Sequence, residues 1–453
     1  MSFKTPSILG AILAGLTALA VHWVHVWNLR SASQGTGVRL VVFGPSSWDT
    51  FAPGATEDVV ARVTSELDTK FKIEHPEVKY IVHDARGPVS DGLARLRNAE
   101  VADDPIDVII CAANPVNTAY ARDGLIAPLD ALVTRLHERF SPGAVDNFTV
   151  DGHVWAAPLS AVNLTTFLYN KDLFAQIGAT APRTYEQFRA LVPKFRAAGI
   201  IPVIHQGKNA WMWLFYYMSA LTEATDNRQI LFVEHMLEGT TPFTDPTNIH
   251  ALRLARQWVD DGVLDAQSNE LDDNTMKSVF YSGKAAAYFG DTWDRPGIAS
   301  NVNFKWGVFP FPQYESEPGH AEAFGGVESG LCLAATTKHS ALAQAYIEFA
   351  TRDENAKPLL APLKAFATSH VNVIQADDEI SREMRAQLPA TKFLDWIFPP
   401  ELTDTMQREM QAMMGLTQTP DQTAAHIQAE YETLVKGGYV YRSTQTGLSA
   451  ATQ

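Results

Sequence analysis

The chain has 453 residues, of which 46% are hydrophobic and 10% aromatic, and its formal net charge is −15 at pH 7. A chain this long and apolar is not disordered and exceeds one compact core, so we expect two domains. The acidic balance argues against a nucleic-acid partner, because Lys and Arg are not concentrated into the basic stripe that binds phosphates.

The N-terminal segment, residues 1–37, has the pattern of an export signal. No Asp, Glu, Lys or Arg occurs at residues 5–29, and Lys4 precedes an apolar run at residues 8–21. A basic start followed by an apolar centre is typical of a secretory signal peptide. The run continues through Trp23, so an uncleaved transmembrane signal anchor is the alternative, and the sequence leaves both open. Either one places the rest of the chain outside the cytoplasm, in the periplasm or an equivalent space.

From residue 38 onward, short apolar runs alternate with runs of helical period. The apolar runs predict strands at residues 38–43, 78–82, 107–111, 154–159, 164–169, 200–204, 285–289, 304–311 and 331–335. The helical runs predict helices at residues 56–71, 91–98, 184–199, 210–221, 247–259, 272–282 and 339–351, with a mostly helical remainder after residue 377. Thr184, with Gln187 three residues later, is typical of a capping box. Strands that alternate with helices predict an α/β fold.

The two cysteines, Cys111 and Cys332, lie in separate apolar runs. The sequence has no CxxC or Cys/His spacing of the kind that binds zinc. Two interpretations stay open: two buried free thiols, or a single disulfide formed in an oxidising compartment.

Several short motifs follow one another in an order that resembles a known family. They are DVII at 107–110, YNKDLF at 169–174, PRTYEQF at 182–188, FYSGKAA at 280–286, GDTW at 290–293, VFPFP at 308–312 and GG at 325–326. Together they resemble family 1 of the extracellular solute-binding proteins, the maltose-binding-protein-like receptors that serve carbohydrate ABC transporters. Gly325 and Gly326 would lie in a hinge strand that absorbs rotation; the alternative is a simple bulge.

The resemblance implies a two-lobe periplasmic-binding-protein fold. Each lobe would be a mainly parallel sheet flanked by helices, and hinge strands would join the lobes. Lobe 1 would comprise residues 38–158 and 331–375, and lobe 2 residues 159–330 and 376–453. The implied function is that of a substrate-binding receptor that closes on a sugar or oligosaccharide and delivers it to the permease subunits of an ABC importer. The receptor is expected to be a monomer and to need no cofactor or metal.

The residues that would hold a ligand are chosen from the chemistry of sugars. A sugar has apolar C–H faces and a rim of hydroxyls, so it needs flat aromatic rings and planar polar groups where strands end at a cleft. The candidates are Trp48, Asn114, Asn163, Trp211, Asp291, Trp293 and Glu328. Trp293 occupies the position of the family's cleft tryptophan. Core packing is the alternative for Trp293 and Trp211, packing within a surface loop for Trp48, and an internal hydrogen bond for Asn114 and Glu328. Arg86 and Arg295 could clamp a hydroxyl, although exposure to solvent is the default for arginine.

Two other function classes are weighed against the receptor. A glycosidase would need two carboxylates on either side of the sugar, for which Asp291 and Glu328 are the nominated pair. The chain has no GxSxG, HExxH or nucleotide-binding glycine motif, so we expect no enzyme activity. A membrane-anchored sugar sensor would use the same two lobes with an uncleaved N-terminal anchor.

Overall fold

The computed structural model describes residues 37–44, 57–84, 96–98, 106–113, 119–159, 162–314, 324–327, 329–361, 367–373, 376–387 and 397–441. The predicted signal peptide or anchor lies outside these residues. None of the described helices combines the length and the apolar character that a segment crossing a bilayer needs.

The described residues contain strands from 2 to 9 residues long. The strands are β1 (Val38–Phe43), β2 (Val78–Asp84), β3 (Val108–Ala112), β4 (Ile126–Ala127), β5 (Thr149–Val150), β6 (His153–Val154), β7 (Ala157–Pro158), β8 (Val162–Asn170), β9 (Ile201–Ile204), β10 (Ala285–Asp291), β11 (Trp306–Phe309), β12 (Gly325–Val327) and β13 (Ser329–Ala334). One predicted strand, at residues 154–159, is split into β6 and β7, which pair with different neighbours.

Helices occupy most of the remaining described chain. The α-helices are α1 (Glu57–Glu74), α2 (Val133–Arg139), α3 (Pro142–Asp146), α4 (Lys171–Gln176), α5 (Tyr185–Ala197), α6 (Trp213–Ala224), α7 (Gln229–Leu237), α8 (Pro246–Asp260), α9 (Asp273–Tyr281), α10 (Arg295–Asn301), α11 (Ser340–Ala350), α12 (Asp353–Leu360), α13 (Glu379–Arg385), α14 (Pro400–Met414) and α15 (Pro420–Lys436). Short 3₁₀ helices are Asp130–Leu132, Ala210–Met212, Ala266–Glu270 and Thr292–Asp294.

Polar side chains fix the starts of α4 and α5, the second of which is predicted at Thr184. The Asn170 side chain accepts hydrogen bonds from the first amides of α4, and Thr184 Oγ1 accepts one from Gln187 N at 3.2 Å. The Gln187 side chain accepts from Arg183 N at 2.8 Å, one residue before the predicted partner, so the box at α5 is only half formed. Such caps satisfy amides that a helix leaves without an internal partner.

Two mixed sheets organise these elements. In the first sheet the order is β2–β1–β3–β13–β4, and β7 also pairs with β13; in the second it is β11–β8–β10–β9, and β12 also pairs with β8. The β1–β2, β1–β3 and β9–β10 pairs are parallel, and the other pairs in these two sheets are antiparallel. The expectation of mainly parallel sheets is therefore wrong for the described strands, because three of these nine pairs are parallel. Each antiparallel pair contains β8 or β13, which both arrive from the other sheet and run opposite to their new neighbours.

The two sheets are joined by two chain segments that lie side by side. The β7 strand leads into β8, and β12 leads into β13. The segments are antiparallel neighbours in both sheets, because Ala157 lies opposite Leu331 and Val162 lies opposite Val327. From Ala157 to Val162 the first segment advances by five residues, whereas from Val327 to Leu331 the second advances by four. The pairing register therefore shifts by one residue between the two sheets. Gly326, opposite Asn163, has a φ of 142°, which a residue with a side chain rarely adopts.

A third connection between the sheets follows residue 373. Before it, the chain is bonded to the region of α2 and α3 beside the first sheet: Ser141 N donates to Ser369 O at 3.1 Å, and Val371 N donates to Arg139 O at 2.9 Å. After it, α13 lies against β11 of the second sheet, where Val308 N donates to Glu383 Oε2 at 3.2 Å. The chain thus crosses between the sheets three times.

The two cysteines form a disulfide between adjacent strands of the first sheet. Cys111 on β3 lies opposite Gly330, two residues before Cys332 on β13, so the two side chains are diagonal neighbours on one face. Both are buried, as expected. Of the two interpretations left open by the sequence, the structure has the disulfide.

Candidate functional site

The second sheet presents the ends of three strands along one edge. The parallel strands β9 and β10 both end there, at Ile204 and Asp291, and the antiparallel strand β8 begins there at Val162. The same edge adjoins the paired crossings, because β12 pairs with the first residues of β8. In α/β proteins, ligands bind at the carboxyl ends of parallel strands. We call this edge, with the loops that follow β9 and β10, the carboxyl edge.

Asp291 holds the turn after β10 against β8. Its side chain is fully buried, and Oδ1 accepts hydrogen bonds from Thr292 N at 2.5 Å, Thr292 Oγ1 at 2.9 Å and Leu164 N at 3.2 Å. Thr292 Oγ1 also accepts from Leu164 N at 3.2 Å. One carboxylate oxygen of Asp291 is therefore committed to ordering the carboxyl edge itself.

Asp294 is a second buried carboxylate that holds the same turn in place. Its side chain is 1% exposed, and it accepts a hydrogen bond from Tyr288 OH at 3.1 Å and pairs with Lys277 Nζ at 2.6 Å. Lys277, on α9, also pairs with Asp273 at 2.8 Å. Burial alone would lower the pKa of Lys277, but the two carboxylates raise it overall, so the lysine stays charged. The turn that carries residue 293 is thus held by the contacts of Asp291 before that residue and of Asp294 after it.

The loop after β9 contributes a second group of polar and aromatic side chains. Gln206 is buried, and its Oε1 accepts a hydrogen bond from Asn209 Nδ2 at 2.6 Å. Trp213 Nε1 donates to Gly207 O at 3.0 Å, which holds the loop on the start of α6. Between them, the exposed Trp211 meets the Phe215 ring edge-on, with 5.7 Å between the ring centres. The loop therefore presents an aromatic ring beside amide groups.

His205, the first residue after β9, is fully buried. Its ring lies 4.2 Å from the Trp213 ring and 5.1 Å from the Tyr216 ring, centre to centre. Neither ring nitrogen has a hydrogen-bond partner among the described residues. Burial lowers the pKa of His205 to about 3, so the ring is neutral at physiological pH.

Metal binding has no support in the part of the chain that the structure describes. No three His, Cys, Asp or Glu side chains converge there in a way that could hold an ion.

Comparison with known proteins assigns the chain to a family. A family model described as bacterial extracellular solute-binding protein matches residues 54–357, about two thirds of the chain. The chain belongs to this family. Its members are binding proteins, which agrees with the resemblance carried by the short motifs.

Curated relatives of this solute-binding protein include two receptors from Bacillus subtilis (strain 168). The maltodextrin-binding protein MdxE is 27% identical over 223 residues, which are 48% of this chain and 50% of the relative. The galactooligosaccharide-binding protein is 24% identical over 341 residues, which are 73% of this chain and 72% of the relative. A multiple sugar-binding protein of Streptococcus mutans is 24% identical over 49% of its length, so two of these three matches span about half of the relative.

Solved structures share the fold of this solute-binding protein. A chitin oligosaccharide binding protein superposes with a TM-score of 0.72 at 20% identity, covering 88% of this chain and 99% of the other. The binding protein RafE in complex with raffinose gives a TM-score of 0.66 at 19% identity, covering 88% and 99%. At this identity the likeness shows the fold alone, which is the expected two-lobe α/β architecture.

The solute-binding protein brings three of the predicted ligand residues to the carboxyl edge. Asn163 is the second residue of β8, opposite Gly326, and Asp291 ends β10. Trp211 lies in the 3₁₀ helix Ala210–Met212 of the connection after β9. None of these placements tests ligand contact, so their role stays a prediction. Trp48, Asn114, Glu328 and Arg86 lie outside the described residues, as does the side chain of Trp293, whose backbone lies in the 3₁₀ helix at 292–294.

Arg295 is not exposed as the default for arginine suggested. It is 8% exposed and bonded to residues of α13, which makes it part of the framework. His205, Gln206 and Asn209 were not identified as candidates. The signal was available, because all three directly follow a predicted strand of the sheet, the criterion that selected Trp293 after the next strand.

Proposed function

We propose that this protein is the extracytoplasmic substrate-binding receptor of an ABC importer and that it binds a sugar or oligosaccharide by closing two lobes around it. The observation that carries the proposal is the paired crossing beside the carboxyl edge: β7–β8 and β12–β13 lie side by side between the two sheets. Such a pair permits the two sheets to rotate about it, and the edge beside it carries three of the candidate ligand residues, Asn163, Trp211 and Asp291.

The division into lobes follows from the crossings. We propose lobe 1 as residues 38–158 and 331–375 and lobe 2 as residues 159–330 and 376–453. The membership of the strands supports this division, except that β13 already pairs with β3 at Ser329 and Gly330.

The ligand chemistry follows from the groups available. An exposed tryptophan in the same loop as two side-chain amides suits the C–H faces and hydroxyls of a neutral sugar. Relatives named for maltodextrin and galactooligosaccharide support the same class. We propose Trp48, Asn114, Asn163, Trp211, Asp291, Trp293 and Glu328 as the ligand residues, with no cofactor and no covalent step.

The partners and location are proposed from the family. The closed receptor would engage the permease subunits of an importer as a monomer. The N-terminal segment would export the chain as a cleaved signal or keep it anchored to the outer face of the inner membrane.

The test is a calorimetric titration of the full-length chain with a panel of mono- and oligosaccharides. Binding of at least one saccharide without hydrolysis is expected. Hydrolysis of a saccharide, with no binding that stabilises the fold, would overturn the proposal. Trp211→Ala is expected to weaken the affinity for the sugar that binds. The matched control is Trp306→Ala, because Trp306 lies opposite Asn170, at the far end of β8.

A further inference from the structure

One side chain connects the carboxyl edge with the third crossing. Arg295 directly follows the turn at residues 291–294, and its side chain is 10% exposed. Its Nη1 donates to Ser381 Oγ at 2.6 Å, and its Nη2 donates to Asp378 Oδ2. A guanidinium held in this way serves the framework and is not available to a ligand.

The partner of Arg295 is the residue that starts α13. Asp378 caps this helix, and its carboxylate accepts hydrogen bonds from Ser381 N and Ser381 Oγ, both at 3.0 Å. Partial burial alone would raise the pKa of Asp378, but the Ser381 amide and the charge of Arg295 hold it below its usual range. The Asp378 carboxylate is therefore ionised at neutral pH.

Residues 369 and 370, which precede α13, are hydrogen-bonded to elements beside the first sheet. Ser369 O accepts from Ser141 N at 3.1 Å, and His370 Nε2 lies 3.0 Å from Thr351 O at the end of α11. Fewer than ten residues separate these contacts from Asp378. A shift of α13 relative to the second sheet would therefore act directly on the third crossing.

The turn on the other side of Arg295 is rigid. Asp291 bonds it to β8, and Asp294 is braced by Tyr288 and Lys277. A displacement at the turn is thus not absorbed locally, because its hydrogen-bonded groups move together.

We infer that Arg295 is a positioning residue that couples the turn at residues 291–294 to the third crossing through Asp378. The inference rests on the proposed function in one respect: it requires that the bound ligand contacts this turn. Contact at the turn then shifts α13 through a charged, hydrogen-bonded link and biases the angle between the lobes.

The chain offers a matched control on the same helix. Glu383, two residues after Ser381, pairs with Lys171 on α4 at 2.8 Å and so also holds α13 to the second sheet. This second pair does not involve the turn. Asp378→Asn keeps a side chain that caps helices well and removes the charge, while Glu383→Gln removes the charge of the control pair.

The decisive experiment is amide hydrogen exchange on the ligand-free, full-length protein. In Asp378→Asn, protection at residues 292–295 should fall about tenfold, as expected when one charge-assisted hydrogen bond is lost. In Glu383→Gln, protection should fall within α13 and remain unchanged at 292–295. Unchanged protection at 292–295 in Asp378→Asn would overturn the inference. So would an equal loss in both variants, because that would reflect general loosening of α13.

A second arm measures affinity with maltotriose, chitotriose, xylotriose and raffinose as probes. Asp378→Asn should weaken binding of whichever probe binds by about fivefold or more, and Glu383→Gln should not. Equal affinities in the two variants would count against the coupling. If none of the four probes binds, that failure concerns the proposed function, and the exchange result still decides the inference.

Discussion

Lowering the pH from 7 to 5 should destabilise this protein, and the buried side chain of His205 should make a large contribution to the loss. The ring is neutral in the folded protein because burial lowers its pKa to about 3, whereas in the unfolded chain a histidine titrates near 6.5. Between these values the unfolded chain binds a proton that the folded protein does not. The stability is therefore full above about pH 7 and falls as the pH drops toward 3.

The size of the effect follows from the two pKa values. At pH 5 an unfolded histidine is almost entirely protonated, while folded His205 is not, which lowers the free energy of unfolding by about 2 kcal/mol relative to pH 7. At pH 3 the loss would be about 4 kcal/mol, and its limit of about 5 kcal/mol would be reached only below pH 3. His370 adds a change of the same sign, because burial outweighs its hydrogen bond to Thr351 O and lowers its pKa. A comparison with a variant is therefore needed.

Urea unfolding of the wild type and of His205→Phe at pH 7 and pH 5 tests this reasoning. Phenylalanine keeps an aromatic ring against Trp213 and Tyr216 but binds no proton. The variant should lose about 2 kcal/mol less than the wild type on acidification. At pH 7 it should be as stable or more so, because it removes a polar group that has no partner among the described residues. The exposed His137→Gln is the control and should behave as the wild type. An identical pH dependence in wild type and His205→Phe would refute the argument.

Three further substitutions test the framework. Replacing both Cys111 and Cys332 by serine should lower the free energy of unfolding by about 2–4 kcal/mol. Dithiothreitol should destabilise the wild type by a similar amount and leave the double-serine variant unchanged. Equal stabilities of the wild type and the variant would contradict the expectation. Gly326→Ala should cost about 1–3 kcal/mol, because its φ of 142° strains any side chain. Gly143→Ala, in α3 with open space around it, is the control and should be neutral or stabilising. Asn170→Ala should cost about 1 kcal/mol by removing the cap of α4, as measured by thermal or urea unfolding, and no loss would show that water replaces the cap.

The elements of the fold could be predicted wherever the signal was local. The strands at 38–43 and 285–289 and the helix after Thr184 follow from apolar period and capping within a dozen residues. The split of residues 154–159 could not be predicted, because β6 pairs with β5 nearby while β7 pairs with β13, some 170 residues later. Local pattern carries no information about which distant strand supplies the hydrogen bonds.

The same limit applies to the site. The position of Asp291 at the carboxyl edge could be predicted because it follows a predicted strand, and that of Trp211 because it lies near the start of the helix after the strand at 200–204. Whether either residue contacts a ligand stays a prediction. The burial of Arg295 could not, because its partners Asp378 and Ser381 lie more than 80 residues further along the chain. An arginine is normally exposed to solvent, and its burial requires a partner such as a carboxylate that only the tertiary fold brings beside it.

The late position of β13 sets the order in which the first sheet can form as the chain folds. Both β4 and β7 pair with β13, and β3 has β13 on one side, yet β13 is made from residues 329–334, after the whole of the second sheet. A nascent chain that has emerged only to residue 158 would carry an open edge on β3, the kind of edge that invites aggregation. The second sheet needs no strand from later in the chain, so it can assemble while the first waits. Completion of the first sheet, and with it oxidation of the Cys111–Cys332 pair, is therefore a late, long-range event in the maturation of this protein.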